Sequence, residues 1–109
     1  MYAQKGLTSG FFVHTVSFVD IDFDAAKNAR NIRDRGLSFE RVREFDFETA
    51  VFTVDTRRDY GEIRRRVLGR LDGRVHALVF VDTAMGIRVI SFRKANKREA
   101  RLYEKATQP

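Results

Sequence analysis

Glu62–Phe92, EIRRRVLGRLDGRVHALVFVDTAMGIRVISF, decides the fold. Asp72-Gly73 divides two runs of strand-like period, Glu62–Leu71 and Arg74–Val81. An Asp-Gly pair between such runs is a hairpin signal, because both residues accept the positive φ that a tight turn matched to strand twist requires. Asp82–Gly86 turns the chain again and Ile87–Phe92 (IRVISF) reads as the next strand. Upstream, Ala50–Val54 (AVFTV) is a further strand, joined through the charged loop Asp55–Gly61 (DTRRDYG). Downstream, Asn96 with Glu99 three residues on has capping-box spacing. It starts a helix to about Lys105 whose outer surface carries Lys97, Arg98, Arg101 and Lys105, with Leu102 and Tyr103 turned towards the fold.

Nearer the N-terminus the period is helical. A strand from Phe11 to Phe23 uses Val16, Phe18, Ile21 and Phe23 as apolar positions, with its alternation shifting around Asp20. Asp22 or Asp24 caps a helix to about Arg35, with Ala25, Ala26, Ala29 and Ile32 on its inner face. Gly36 ends it where a left-handed residue is wanted. Ser38 caps a second helix whose stripe of Phe39, Val42, Phe45 and Phe47 is core. Residues 1–10 are a polar leader expected to fray. The order is α+β: an N-terminal strand and two helices, then an antiparallel sheet of three to four strands and a C-terminal helix.

Composition narrows the function. A chain of 109 residues makes one domain, and 43% hydrophobic content with ten Phe supplies its core. No cysteine is present, which excludes thiolate catalysis and Cys-based metal sites. His14 and His76 are the only imidazoles, and no metal motif surrounds them, so no metal or cofactor is expected. No run is long enough to span a membrane, and a cytoplasmic location is the default expectation. Residues 1–54 hold seven basic and eight acidic side chains, whereas residues 55–109 hold fourteen and seven. A basic half on so small a chain suits a polyanion such as nucleic acid, or merely a solvated surface.

The stretch Asp55–Tyr103 resembles the BrnT toxin family, a branch of the RelE-like ribonuclease toxins. The residues that carry the likeness are Asp55, Arg57, Tyr60-Gly61-Glu62, Arg64, Leu68-Gly69, Leu71-Asp72-Gly73-Arg74 and His76. They continue through Val79-Phe80, Ile87–Ser91, Arg93–Asn96, Arg98-Glu99 and Tyr103. Phe23-Asp24, Lys27, Asn31–Arg33, Gly36 and Ser38–Glu40 match in the first half. The family's proline after Phe-Asp is Ala25 here, and its Lys-His before the glycine is Asp34-Arg35. The likeness covers roughly residues 19–105, so residues 19–109 are read as the BrnT-like domain and residues 1–18 as an extension, partly a possible edge strand. The resemblance implies a RelE-like fold, metal-independent endoribonuclease activity that arrests growth, and neutralisation by a BrnA-type antitoxin. That antitoxin carries a ribbon-helix-helix part, through which alone the complex reaches operator DNA.

Metal-free RNA cleavage asks for fixed cations at the phosphate and groups that move protons. Arginine suits the first role because its planar fork meets two oxygens at once. Arg64 and Arg93 are the favoured forks, with Glu62 as base and Tyr103 as a further catalytic group. Strict alternation puts Arg93 on a face with Ile87, Val89 and Ser91, and Arg88 on the other with Ile90 and Phe92, so that one of the two lines the site. Glu62 has a second reading as a salt-bridge partner of Arg57 or Arg64. Arg57, Tyr60, Arg88, Lys94, Lys97, Arg98 and Arg101 are candidate RNA contacts, and the basic run Arg93–Arg101 has a second reading as a dock for an acidic antitoxin segment. His76 shares its strand face with Leu78 and Phe80, which favours a satisfied core-edge histidine over a general acid. The alternative function is a basic module of this fold that binds RNA, DNA or an antitoxin without cutting; a decayed toxin is a third. Clustering of Arg64, Arg93, Glu62 and Tyr103 separates the first two.

Overall fold

A computed structural model describes residues 20–55 and 61–109. Five strands, β1 (Asp20–Phe23), β2 (Val51–Asp55), β3 (Arg64–Leu71), β4 (Arg74–Asp82) and β5 (Gly86–Lys94), form one sheet in the order β1-β5-β4-β3-β2. Strands β2 to β5 are antiparallel neighbours. The β3–β4 turn has Asp72 at φ 53° and Gly73 at φ 76°, the double positive φ that the Asp-Gly pair foretold.

The first strand joins this same sheet. It pairs parallel with β5, Ile21 opposite Ile87 and Phe23 opposite Val89, which makes the sheet mixed. Of the strand expected over Phe11–Phe23, the part before Asp20 lies outside the described residues. Gly86 makes the pairing possible: a Cβ there would run into the backbone oxygen of Asp20.

Helix α1 (Ala25–Arg35) starts at Asp24, whose side chain accepts from Lys27 N at 3.0 Å, and stops at Gly36 with φ 66°. Its inner face is not the one expected. Ala25, Ala26 and Ala29 are exposed, and Ile32 is 47% exposed. Asn28 and Asn31 turn inward instead. Asn28 Oδ1 accepts from Phe39 N at 2.8 Å, and Asn31 Nδ2 donates to the carbonyls of Leu37 and Phe92, both at 2.9 Å. The helix is tethered by amide hydrogen bonds at the sheet's edge, so hydrophobic spacing was a poor guide to its seating.

The expected second helix is a 3₁₀ helix, Phe39–Glu44, capped by Ser38. Phe39, Val42, Phe45 and Phe47 are all buried, as their stripe required. They cover one face of the sheet, formed by Val67, Leu71, Leu78, Phe80, Ile87, Val89 and Phe92. Each such side chain contributes about 1.5–3 kcal/mol by leaving water. The Phe45 ring lies over Gly69, where a Cβ would stand 2.6 Å from it, and meets Phe47 edge-on at 4.9 Å.

Helix α2 (Lys97–Ala106) packs on the opposite face, against β3 and β4. Both halves of its capping box form: Asn96 Oδ1 accepts from Glu99 N at 2.8 Å, and Glu99 Oε1 accepts from Asn96 N at 2.9 Å. Tyr103 is the anchor, 2% exposed, with its hydroxyl 3.1 Å from Thr49 Oγ1 and the Arg70 guanidinium 5.2 Å over its ring. Leu102 turns to the fold only in part, bordering a cavity it shares with the sheet residues Leu68 and Ala77. It is 56% exposed, because one residue before Tyr103 on a helix is about 100° away from the packed side.

Candidate functional site

The α2 side of the sheet carries the cations. Along β3, Arg64, Arg66, Leu68 and Arg70 alternate away from the core residues Val67 and Leu71. Register then fixes what lies beside them: Arg66 is opposite Val79, Leu68 opposite Ala77, and Ala77 in turn opposite Arg93. Helix α2 covers the Arg70 end of this face and leaves the Arg64–Arg66 end open.

Strand β5 breaks strict alternation. Val79 pairs with Ser91 but Phe80 pairs with Val89, so Ile90 is an extra residue, a β-bulge. The bulge resets the phase. Ile87, Val89 and Phe92 all belong to the core, and Arg88, Ser91 and Arg93 all take the α2 side. The expectation that Arg88 and Arg93 lie on opposite faces is therefore corrected. Its sequence signal was the adjacent apolar pair Val89-Ile90: with Ile90 left out, the strand alternates without a fault.

Beyond Arg70, which α2 covers, four arginines thus share this face, Arg64 and Arg66 from β3, Arg88 and Arg93 from β5. Two carboxylates hold them. Glu62 receives Arg88 Nη2 at 3.1 Å and has Arg64 Nε at 3.5 Å. Glu99 receives both nitrogens of the Arg93 fork at 2.8 and 3.0 Å, and Arg66 Nη2 approaches it at 3.6 Å. The Arg93 fork lowers the Glu99 carboxyl from its ordinary 4.5 to about 2, and Glu99 in turn raises Arg93. Arg64 and Arg66 are two residues apart on one strand, about 7 Å, so the two clusters adjoin.

Between them and α2 lies a cavity of about 190 Å³. Leu68, Ala77 and Val79 line it, with Arg66, Arg93 and Glu99 as its charged wall, Thr53 and Ser91 bringing hydroxyls, and Leu102 at its edge. Sequence reasoning missed Arg66, Glu99 as a ligand of arginine, Thr53 and Ser91. Arg66 was accessible to it, since residues two apart on a strand share a face.

The other expected site residues fall elsewhere. Tyr103 does not line the cavity; its ring seats α2. Lys94 lies on the far side of the sheet, in a hollow with Arg35, Arg74 and His76. His76 is 5% exposed, its Nδ1 2.8 Å from the Arg74 carbonyl, and burial pushes its pKa down. Lys97, Arg98 and Arg101 are exposed on α2. Arg57 and Tyr60 lie outside the described residues. Among the described residues no three His, Asp or Glu gather as metal ligands would, and no helix is long and apolar enough to cross a membrane.

A face of paired arginines beside a small cavity suits an oxyanion-bearing ligand. Residues 23–99 match the family described as the ribonuclease toxin, BrnT, of type II toxin–antitoxin systems. The chain belongs to the BrnT family. The match spans the BrnT chain from the last residue of β1 to Glu99, so it takes in all four arginines and both carboxylates. No match is found among curated proteins or among solved structures. Membership makes this BrnT protein, at family level, an RNA-cleaving toxin with an antitoxin partner.

Proposed function

We propose that this protein is a metal-independent endoribonuclease that cuts RNA at the arginine face. Arg66 and Arg93 grip the scissile phosphate, and Arg64 and Arg88 meet the charge that builds on it. The RNA 2′-hydroxyl attacks phosphorus and the 5′-oxygen leaves, giving a 2′,3′-cyclic phosphate and a free 5′-hydroxyl. One proton leaves the 2′-oxygen and one reaches the departing oxygen. Glu62 is the nearest carboxylate to accept the first, and its hold on Arg64 and Arg88 keeps it beside the phosphate. Fixed guanidinium groups need no reorganisation as the transition state forms, which is where such sites gain most of their rate.

Lys97, Arg98 and Arg101 extend the grip along the RNA backbone, with Arg57 and Tyr60 as further contacts. The fold is taken as RelE-like. Neutralisation falls to a BrnA-type antitoxin whose ribbon-helix-helix part alone meets operator DNA, and the toxin works in the cytoplasm to arrest growth.

The observation that carries this reading is the convergence of Arg64, Arg66, Arg88 and Arg93 on one sheet face. Incubating purified protein with a long RNA in EDTA tests it. Fragments ending in cyclic phosphate support it; intact RNA, with binding retained, would favour the non-cutting module.

A further inference from the structure

We infer that the cavity between α2 and the open half of the sheet is a nucleobase pocket, which holds one base of the RNA whose phosphate the arginines bind. This rests on the nuclease reading above and adds to it a place where sequence is read.

Size comes first. Pockets for drug-sized ligands run to about 300–1,000 Å³. At about 190 Å³ this one takes a single ring system and not a whole nucleotide. Its floor is a patch of sheet, Leu68, Ala77 and Val79, apolar and broad, as the face of a base requires. Leu102 stands at the lip, a large apolar side chain left 56% in water. A ring seated below it would bury both.

Polar groups are placed where the edge of a base would fall. Ser91 makes no side-chain hydrogen bond among the described residues, and the Thr53 hydroxyl reaches the Arg66 carbonyl only at 3.5 Å. Both are free to turn towards a ligand, and a hydroxyl serves as donor or acceptor. Arg66, 3.6 Å from Glu99, forms the wall beside these hydroxyls, so a ring in the pocket lies next to the phosphate that Arg66 holds. An apolar side chain from a protein partner fits worse. It would cover the two hydroxyls without pairing them, at about 1–3 kcal/mol for each.

The path onward is also cationic. Ser91 is shared with a second hollow on the α1 side, where Lys27, Arg30 and Arg35 outnumber the one carboxylate, Asp34. A strand with one base in the pocket can pass over the β5 edge and lay its next phosphates there.

The test is an abasic scan. Short 2′-O-methyl oligoribonucleotides, which cannot be cut through the 2′-hydroxyl, are bound to the full chain by fluorescence anisotropy, each with one base removed. One position should weaken binding about tenfold, the rest little, since burying one ring face is worth roughly that much. In Ala77→Leu, which fills the floor, no position should stand out. In Leu102→Ser, whose site is exposed and tolerant, the effect should shrink. A flat scan in the wild type, or an unchanged peak in both folded variants, overturns the pocket. So does a result in which the variants bind RNA normally but escape the antitoxin, which would make the cavity a partner's dock. A clear peak with no cleavage of natural RNA would keep the pocket and sink the nuclease.

Discussion

Glu99 grips the Arg93 fork at both ends, Oε1 to Nη1 at 2.8 Å and Oε2 to Nη2 at 3.0 Å, while its Oε1 also closes the cap of α2 through Asn96 N. One carboxylate therefore aims an arginine and fixes a helix. Glu99→Gln separates the two duties. Glutamine can still cap, because its oxygen accepts from Asn96 N, but its amide cannot receive the second Arg93 nitrogen. RNA affinity at low salt should rise, since a phosphate no longer competes with a carboxylate, and the log K against log salt slope should steepen by about one. Single-turnover cleavage should fall about tenfold because the fork is no longer held. Affinity and rate moving together would show that Glu99 does not aim the arginine.

Acid should unpick the same pair. The Glu99 carboxyl sits at about 2 in the folded chain against an ordinary 4.5. A carboxyl lowered by folding adds stability that is complete above the unfolded value and lost as pH falls to the folded one. The melting temperature of the wild type should exceed that of Glu99→Gln by a constant margin above pH 4.5, and the margin should close between pH 4.5 and 2. A margin constant down to pH 2 would mean the Arg93 pair contributes nothing.

Arg66 offers the cleaner test of phosphate binding, because its link to Glu99 is long at 3.6 Å and its side chain is 37% exposed. Arg66→Ala should shift stability by no more than about 0.5 kcal/mol. Cleavage should drop by roughly 10²–10³, the loss typical of one fixed oxyanion donor. Arg93→Ala gives a muddier answer, since it strips Glu99 of its main partner. Full activity in folded Arg66→Ala protein would remove Arg66 from the site.

His76 faces the core side, tilted against Phe92 at 5.7 Å between ring centres. His76→Ala should leave the pH profile of cleavage unmoved. It should cost stability on the order of 2 kcal/mol through the space it opens. Burial pushes the imidazole pKa below its ordinary 6.5, so the wild type should also lose stability as pH falls below 6.5, and the variant should not share that loss. A profile whose acidic limb shifts in His76→Ala would return the histidine to the reaction.

Much of this was legible in sequence, and what was not has physical causes. The Asp72-Gly73 turn, the Asn96–Glu99 box and the Phe39, Val42, Phe45 and Phe47 core are local patterns, and each appears as read. The seating of α1 was lost because two asparagines hold it, and amide hydrogen bonds leave no trace in hydrophobic period. The parallel pairing of β1 with β5 depends on contacts over sixty residues away in sequence, between Asp20 and Gly86 at its start. At the site, Arg93 was preferred over Arg88 as the companion of Arg64, and Arg88 was assigned to the opposite face because period two was assumed to run unbroken. Glu99 was seen only as a cap, since nothing in its spacing discloses that Arg93 folds back to meet it.

Ile90 is supernumerary to the ladder, and that makes the chemistry of this surface a matter of phase. Delete that single residue and the strand reads Ile87, Arg88, Val89, Ser91, Phe92, Arg93 in regular alternation, with both basic groups still on their shared face. Put one more residue beside it, with the bulge kept, and everything beyond the insertion turns over by half a turn. Either Arg88 or Arg93 would then point into oil, with its former neighbour hauled out into water. The protein would be as basic as before, yet one inserted residue would have taken this surface apart without touching any of its charges.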